Sequence, residues 1–166
     1  MDSNTLRAIQ EPLKTKYRNE PGAALITLKA KSKIGEGITC KIETGKALVE
    51  AGLHPATGGD GHSACSGDML LEALAACAGV TLKAVATSIG FIFEEASVEV
   101  EGDLDFRGTL SVDKNAPVGF KEIRLNFKLK TLESPDKIAT LLKLTERYCV
   151  VYQTLTTANA VKLSYS

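Results

Sequence analysis

The sequence predicts an α+β fold with mainly antiparallel sheets, and three observations predict it. Apolar–polar alternation, the signature of half-buried strands, recurs near residues 24–32, 38–42, 97–106 and 122–130. A long apolar stretch at helical spacing, over residues 66–80, divides the early strands from the later ones. A second helix, opened by Ser134-Pro135-Asp136, follows the later strands. Strands, helix, strands, helix, strand is an order typical of antiparallel sheets with segregated helices.

Residues 1–22 are polar and broken by Pro12 and Pro21, and read as a helical or irregular arm. Residues 23–166 then form one domain, since 166 residues correspond to about one domain's length. In the first strand Ala24, Ile26, Leu28 and Ala30 share a side. Gly35-Glu36-Gly37 turns the chain, and Ile38, Cys40 and Ile42 alternate in a second strand. Thr44-Gly45 is a hairpin signal before a short third strand, Lys46–Glu50. Residues 51–64 are loop by composition.

Ser66 can cap the long helix, and Asp68 in its first turn faces the positive end of the dipole. From Met69 to Val80 this helix is apolar nearly all round, so most of its sides need covering. A domain this small hardly surrounds such a helix alone, which points to a dimer core. Val98, Val100, Leu104 and Phe106 alternate with Glu99, Glu101, Asp103 and Asp105. Ile123, Leu125, Phe127 and Leu129 alternate with Arg124, Asn126, Lys128 and Lys130. One polar row is acidic and the other basic, so these strands are expected to be antiparallel neighbours. Arg107–Val112 reads as a further short strand, Val150–Ala158 as a short helix, and Val161, Leu163 and Tyr165 as a last strand.

Composition narrows the function. Twenty basic and twenty acidic residues balance, and aromatics are 5% with no Trp. Neither an electropositive footprint nor stacking platforms invite nucleic acid. The longest run without a strongly polar residue, Ala73–Leu82, is too short to span a bilayer. The N-terminus lacks the apolar core of a signal peptide, so the expected compartment is the cytoplasm. No membrane or nucleic-acid partner is expected.

Four cysteines, at 40, 65, 77 and 149, form no CxxC pair and are too few for a secreted disulfide scaffold. Cys40 points to the apolar side of its strand and reads as core. Cys77, deep in the apolar helix, is either a small core hydrophobe or a reactive thiol, and the reactive reading needs a nearby cation such as an Arg. Cys65, beside the helix start, feels the dipole and is a rival reactive thiol. Twelve helical residues put these two sulfurs roughly 18 Å apart, beyond disulfide reach. Cys149, beside Arg147 and Tyr148, is undecided from its own context. His54, His62 and Cys65 lack a second close ligand pair, so neither zinc nor any other metal is expected. No G-x-S-x-G is present for a Ser hydrolase.

The stretch Cys65-Ser66-Gly67-Asp68-Met69-Leu70-Leu71-Glu72-Ala73-Leu74-Ala75-Ala76-Cys77 resembles the central helix of the OsmC/Ohr family, the osmotically inducible and organic hydroperoxide resistance proteins. Cys149-Val150-Val151-Tyr152 resembles that family's second cysteine, although many members have Pro where Val150 stands. The resemblance, of the OsmC-like branch, implies an OsmC-like fold, an intertwined homodimer with two long central helices flanked by sheets from both chains. It implies cysteine-dependent reduction of organic hydroperoxides to alcohols. Cys77 would become a sulfenic acid, Cys149 would close a disulfide with it, and an external dithiol would reduce the pair. No cofactor is implied. In the peroxide-reducing branch an acid in the helix's first turn holds an Arg near the thiolate. Asp68 and Arg18 are the residues here that would correspond, and Cys65 is a further thiol able to resolve or react. The alternatives are a non-catalytic dimeric binding protein for an apolar ligand, or a thiol redox sensor.

Overall fold

Alternation in the sequence becomes one antiparallel sheet with helices on its apolar face. The computed structural model describes residues 3–34, 40–42, 52–62 and 64–165. Helix α1 (Ser3–Asn19) leads through a 3₁₀ turn (Pro21–Ala24) into strand β1 (Leu25–Ile34), and β2 is Cys40–Ile42. After a second 3₁₀ turn (Pro55–Thr57) come α2 (Ser66–Ile89), β3 (Glu95–Asp105) and the single helical turn α3 (Phe106–Thr109). Strand β4 (Phe120–Lys130), α4 (Pro135–Tyr148) and α5 (Val150–Thr156) complete the order. The Gly35–Gly37 turn, the Thr44-Gly45 hairpin, the Lys46–Glu50 strand and the side chain of Cys40 lie outside what is described.

Among the described residues the sheet order is β2-β1-β3-β4. Strands β3 and β4 pair antiparallel, with Glu101 opposite Arg124 and Ser97 opposite Lys128. The acidic and basic rows meet as the sequence predicts: Arg124 reaches Asp103 at 2.6 Å and Lys128 reaches Glu99 at 2.7 Å. The other face of β3 is buried at every second residue, through Ala96, Val98, Val100 and Leu104. Gly102 continues that pattern without a side chain, for a reason. A Cβ there would stand 2.5 Å from the Phe120 ring and 3.2 Å from Leu71.

Helix α2 lays Leu71, Leu74, Ala75, Ala78, Leu82, Val85 and Ala86 on this face, the i, i+3, i+4, i+7 pattern of a one-sided stripe. Burying Leu71, Leu74 or Leu82 contributes about 1.5–3 kcal/mol each. Cys65, not Ser66, is the residue that caps α2, and Ser66 is its first helical residue. The helix continues beyond Val80 to Ile89 and stops where Gly90 takes φ +68°. At 24 residues it is long and apolar enough to cross a membrane by length and composition, which the shorter Ala73–Leu82 run did not suggest. It packs on β1, β3, α4 and α5 by one face. Its other sides leave Met69, Leu70 and Val80 partly exposed.

Two expected strands are corrected. Arg107–Val112 is not a strand, because Asp105 accepts from the Arg107 backbone N–H and guanidinium and turns the chain into α3. Among the described residues Val161–Tyr165 pairs with no strand; it follows α5 with its three apolar side chains bare. The helix at Ser134-Pro135-Asp136 forms as expected, with the Ser134 hydroxyl accepting from Lys137 N. The polar arm is a helix held to the body: Tyr17 Oη donates to Ala56 O at 2.6 Å and Gln10 Nε2 to Thr57 O at 3.2 Å.

Candidate active site

The site is built where α4 ends against the middle of α2. Helix α4 stops at Cys149, whose N–H still bonds Thr145 O at 2.9 Å while its own backbone turns extended. Helix α5 restarts at once, so Cys149 closes one helix and opens the next. This break holds without a proline at position 150. It sends the Cys149 side chain inward, where it is 1% exposed. The following amides, of Val150 and Val151, are left at the first turn of a helix with no intrahelical acceptor.

Those groups converge on Cys77. Around the Cys77 sulfur, the Val151 and Val150 backbone N–H, the Cys149 thiol and the Thr81 hydroxyl are the groups that favour its thiolate. Thr81 stands four residues along the same helix, one turn away. Partial burial opposes the thiolate, but these four groups outweigh it and hold the Cys77 pKa below that of an ordinary thiol. Burial and the neighbouring Cys77 push Cys149 the other way, to about 11. The pair is therefore polarised, with one half-buried sulfur set to ionise and one buried thiol kept protonated. Both are free thiols, as is Cys65.

The resemblance implies a cation at this sulfur; among the described residues no guanidinium is one of the groups that lower Cys77. Arg18 is exposed on α1 and pairs with Glu11 at 3.4 Å. Asp68 lies nine residues before Cys77 and half a turn round the helix, about 14 Å along its axis. Its partner is His54, whose charge draws the Asp68 carboxyl down while burial raises it on balance. Burial in turn lowers His54, which stacks on Phe106 at 5.0 Å and accepts from Ala56 N through Nδ1. Cys65 caps α2 and packs on the core at the far end of the helix from Cys77. Of the five residues singled out, the structure brings together Cys77 and Cys149 alone. Among the described residues no three His, Cys, Asp or Glu side chains cluster as metal ligands.

A cavity of about 300 Å³ opens between β4 and α5; neither cysteine lines it, and its wall comes nearest to them in sequence at Leu74, three residues before Cys77, and Tyr152, three after Cys149. Leu74, one turn before Cys77, Phe120, Ile123, Leu125, Tyr152 and Leu155 give it an apolar wall. Sequence reasoning missed the donors and the cavity. Backbone amides have no sequence signature, and a Thr in an apolar helix reads as filler. The sequence signal nearest to the break is the pair Val150-Val151, β-branched and weakly helix-forming, directly after the helix-forming run that ends at Tyr148.

Comparison with known proteins places the fold. The chain is similar in structure to an OsmC-like hydroperoxide resistance protein from Jannaschia sp. CCS1, with a TM-score of 0.60 at 17% identity, over 83% of this chain and 91% of that one. It is similar also to an OsmC-like protein from Mycoplasma pneumoniae, with a TM-score of 0.54 at 16% identity, over 79% and 84% of the two chains. At such identities the likeness is one of fold. No curated protein matches the sequence. The model of the OsmC-like protein family matches residues 59–164, a span that holds α2, β3, β4, α4, α5 and both cysteines of the pair. The chain belongs to the OsmC-like protein family.

Proposed function

We propose that this protein reduces organic hydroperoxides to alcohols, with Cys77 as the attacking thiol and Cys149 as the resolving one. The observation that carries the reading is the polarised pair: Cys149, kept protonated, lies beside a Cys77 sulfur whose ionisation it favours. The Cys77 thiolate attacks the distal oxygen of ROOH. The O–O bond breaks, RO⁻ takes a proton and leaves as alcohol, and Cys77 becomes a sulfenic acid. Cys149 sulfur then attacks Cys77 sulfur, and its proton leaves with the hydroxide as water. An external dithiol reduces the disulfide by exchange. No step calls for a cofactor. The apolar cavity between β4 and α5 suits the carbon tail of the peroxide.

The protein acts in this reading as a homodimer in the cytoplasm, apart from nucleic acid and membrane. Val161, Leu163 and Tyr165 are 91%, 95% and 99% exposed and alternate as strand residues do, and Met69, Leu70 and Val80 on α2 are also partly bare. A second copy covers both surfaces. The cavity alone supports the second reading, an apolar-ligand binding protein without turnover.

Consumption of cumene hydroperoxide with dithiothreitol as reductant tests the proposal. Turnover is expected in wild type, none in Cys77→Ser, and little in Cys149→Ser. A Cys77→Ser protein with full activity, alongside an inactive Cys65→Ser, overturns the assignment. Absence of turnover with every dithiol, together with an apolar molecule that co-purifies, favours the binding reading.

A further inference from the structure

The cavity between β4 and α5 owes one wall to an irregularity in the sheet. From Glu95 to Asp103, β3 meets β4 in unbroken register, with Gly102 opposite Ile123 and Asp103 opposite Glu122. The next pair is Leu104 with Phe120, so Lys121 is an extra residue, a β-bulge. Residues opposite one another share a face of the sheet, and Leu104 belongs to the buried face of β3. In unbroken register Lys121 would stand opposite Leu104 on that apolar face. The bulge takes Lys121 out of the pairing and puts Phe120 there instead.

Gly102 makes room for the ring that arrives. A Cβ on Gly102 would lie 2.5 Å from the Phe120 ring and 3.2 Å from Leu71 Cδ2, so the ring occupies the ground where any other residue would place its side chain. Phe120 lines the cavity, whereas Gly102 and Leu71 behind it do not. The ring is therefore the wall between the cavity and this part of the core. Lys121, Glu122 and Thr156 are exposed members of the lining and mark its solvent side.

We propose that Phe120 is the specificity-determining residue for the tail of the hydroperoxide: its ring closes the cavity to a size that takes a compact aryl or branched alkyl group and not a long lipid chain. The inference rests on the reading of this cavity as the tail site of the proposed reduction, and it adds the class of tail. A volume of about 300 Å³ is about twice the ~150 Å³ that accommodates one benzene ring. A cumyl group fits such a space. The chain of a lipid hydroperoxide exceeds it, and the excess runs out past Lys121, Glu122 and Thr156, where no apolar surface is removed from water.

The experiment compares kcat/KM for cumene hydroperoxide and methyl linoleate hydroperoxide, both uncharged, in wild type, Phe120→Ala and Phe120→Trp. Differences in intrinsic reactivity cancel when the ratio of the two values is compared across variants. Phe120→Ala opens the space over Gly102 and Leu71, so the ratio is expected to move about tenfold toward the lipid peroxide. Phe120→Trp fills more of the cavity, and the ratio is expected to move the other way. A merely structural role lowers both values together and leaves the ratio where it was. An unmoved ratio in both variants overturns the inference and leaves the proposed activity intact. If Phe120→Ala does not fold, Phe120→Leu takes its place, with a smaller shift in the same direction and the same overturning result. Calorimetric binding of the alcohol products, 2-phenylpropan-2-ol and methyl hydroxyoctadecadienoate, gives a readout that needs no turnover. A shift in their relative affinities in a protein that consumes no peroxide leaves the tail selection standing and removes the proposed activity.

Discussion

The Cys149 thiol lies beside the Cys77 sulfur and favours its ionisation, although the two residues stand 72 apart in the sequence. Their chemistry is divided, since Cys149 keeps its proton and Cys77 loses its own more easily.

Cys149→Ala should therefore slow Cys77 even where no resolving step is needed. It removes one group that favours the thiolate, so the Cys77 alkylation midpoint rises and the first-turnover rate with peroxide at neutral pH falls severalfold. Cys149→Ser, which keeps a hydroxyl donor, should retain most of that rate. Single-turnover stopped-flow on both variants checks this, and equal rates in the two would contradict it.

The two thiols also set opposite pH dependences on stability. Cys77 ionises more readily folded than unfolded, so its contribution is complete above the ordinary thiol value of 9.0 and is lost as pH falls through its folded midpoint. Cys149 is raised, so its contribution is complete below 9.0 and is lost as pH rises through about 11. Urea midpoints followed from neutral to alkaline pH should fall across the upper window in wild type, and the fall should be smaller in Cys149→Ala.

Asp103 gives an acid-side counterpart. The Arg124 guanidinium and the Thr27 hydroxyl hold its carboxyl at about 2, below the usual 3.8. Its contribution is present above 3.8 and is lost as pH falls through about 2. Arg124→Gln should flatten that part of the acid unfolding curve. The change at neutral pH should be small, because both partners are partly exposed.

Gly102→Ala should tie the sheet to the cavity. The new methyl meets the Phe120 ring at 2.5 Å, so the ring moves, and the ring lines the cavity between β4 and α5. Overpacking of this kind costs about 1–3 kcal/mol. The expected outcome is a lower Tm together with a higher KM for bulky hydroperoxides, and a smaller effect with tert-butyl hydroperoxide.

Much of this fold was legible in the residues. The charged rows of β3 and β4 predicted their antiparallel pairing because opposite charges mark opposite strands, and Ser134-Pro135-Asp136 marked the start of α4. Arg107–Val112 misled because its alternation is local, whereas the Asp105–Arg107 ion pair that bends it depends on geometry at 2.6 Å. Val161–Tyr165 carries a strand pattern, but a strand needs a neighbour, and the described residues supply none. The cysteine pair was legible through family likeness. Its activation was not, because residue identity advertises an arginine and says nothing of two backbone amides and a hydroxyl.

Removal of residues 160–166 should separate assembly from fold. Val161, Leu163 and Tyr165 stand almost fully exposed, so the truncated chain should keep its helical signal, while the proposed dimer should lose its mass in light scattering. A truncated chain that stays dimeric would assign the dimer contact elsewhere, such as the bare side of α2.

The central claim is that Cys77 is the atom oxidised and Cys149 the atom that resolves it. Mass mapping after one equivalent of cumene hydroperoxide tests it most directly. The account predicts a Cys77–Cys149 disulfide in wild type, and in Cys149→Ser a dimedone adduct on Cys77 alone. A Cys77 that stays a free thiol while peroxide is consumed, or an adduct on Cys65 instead, would contradict it.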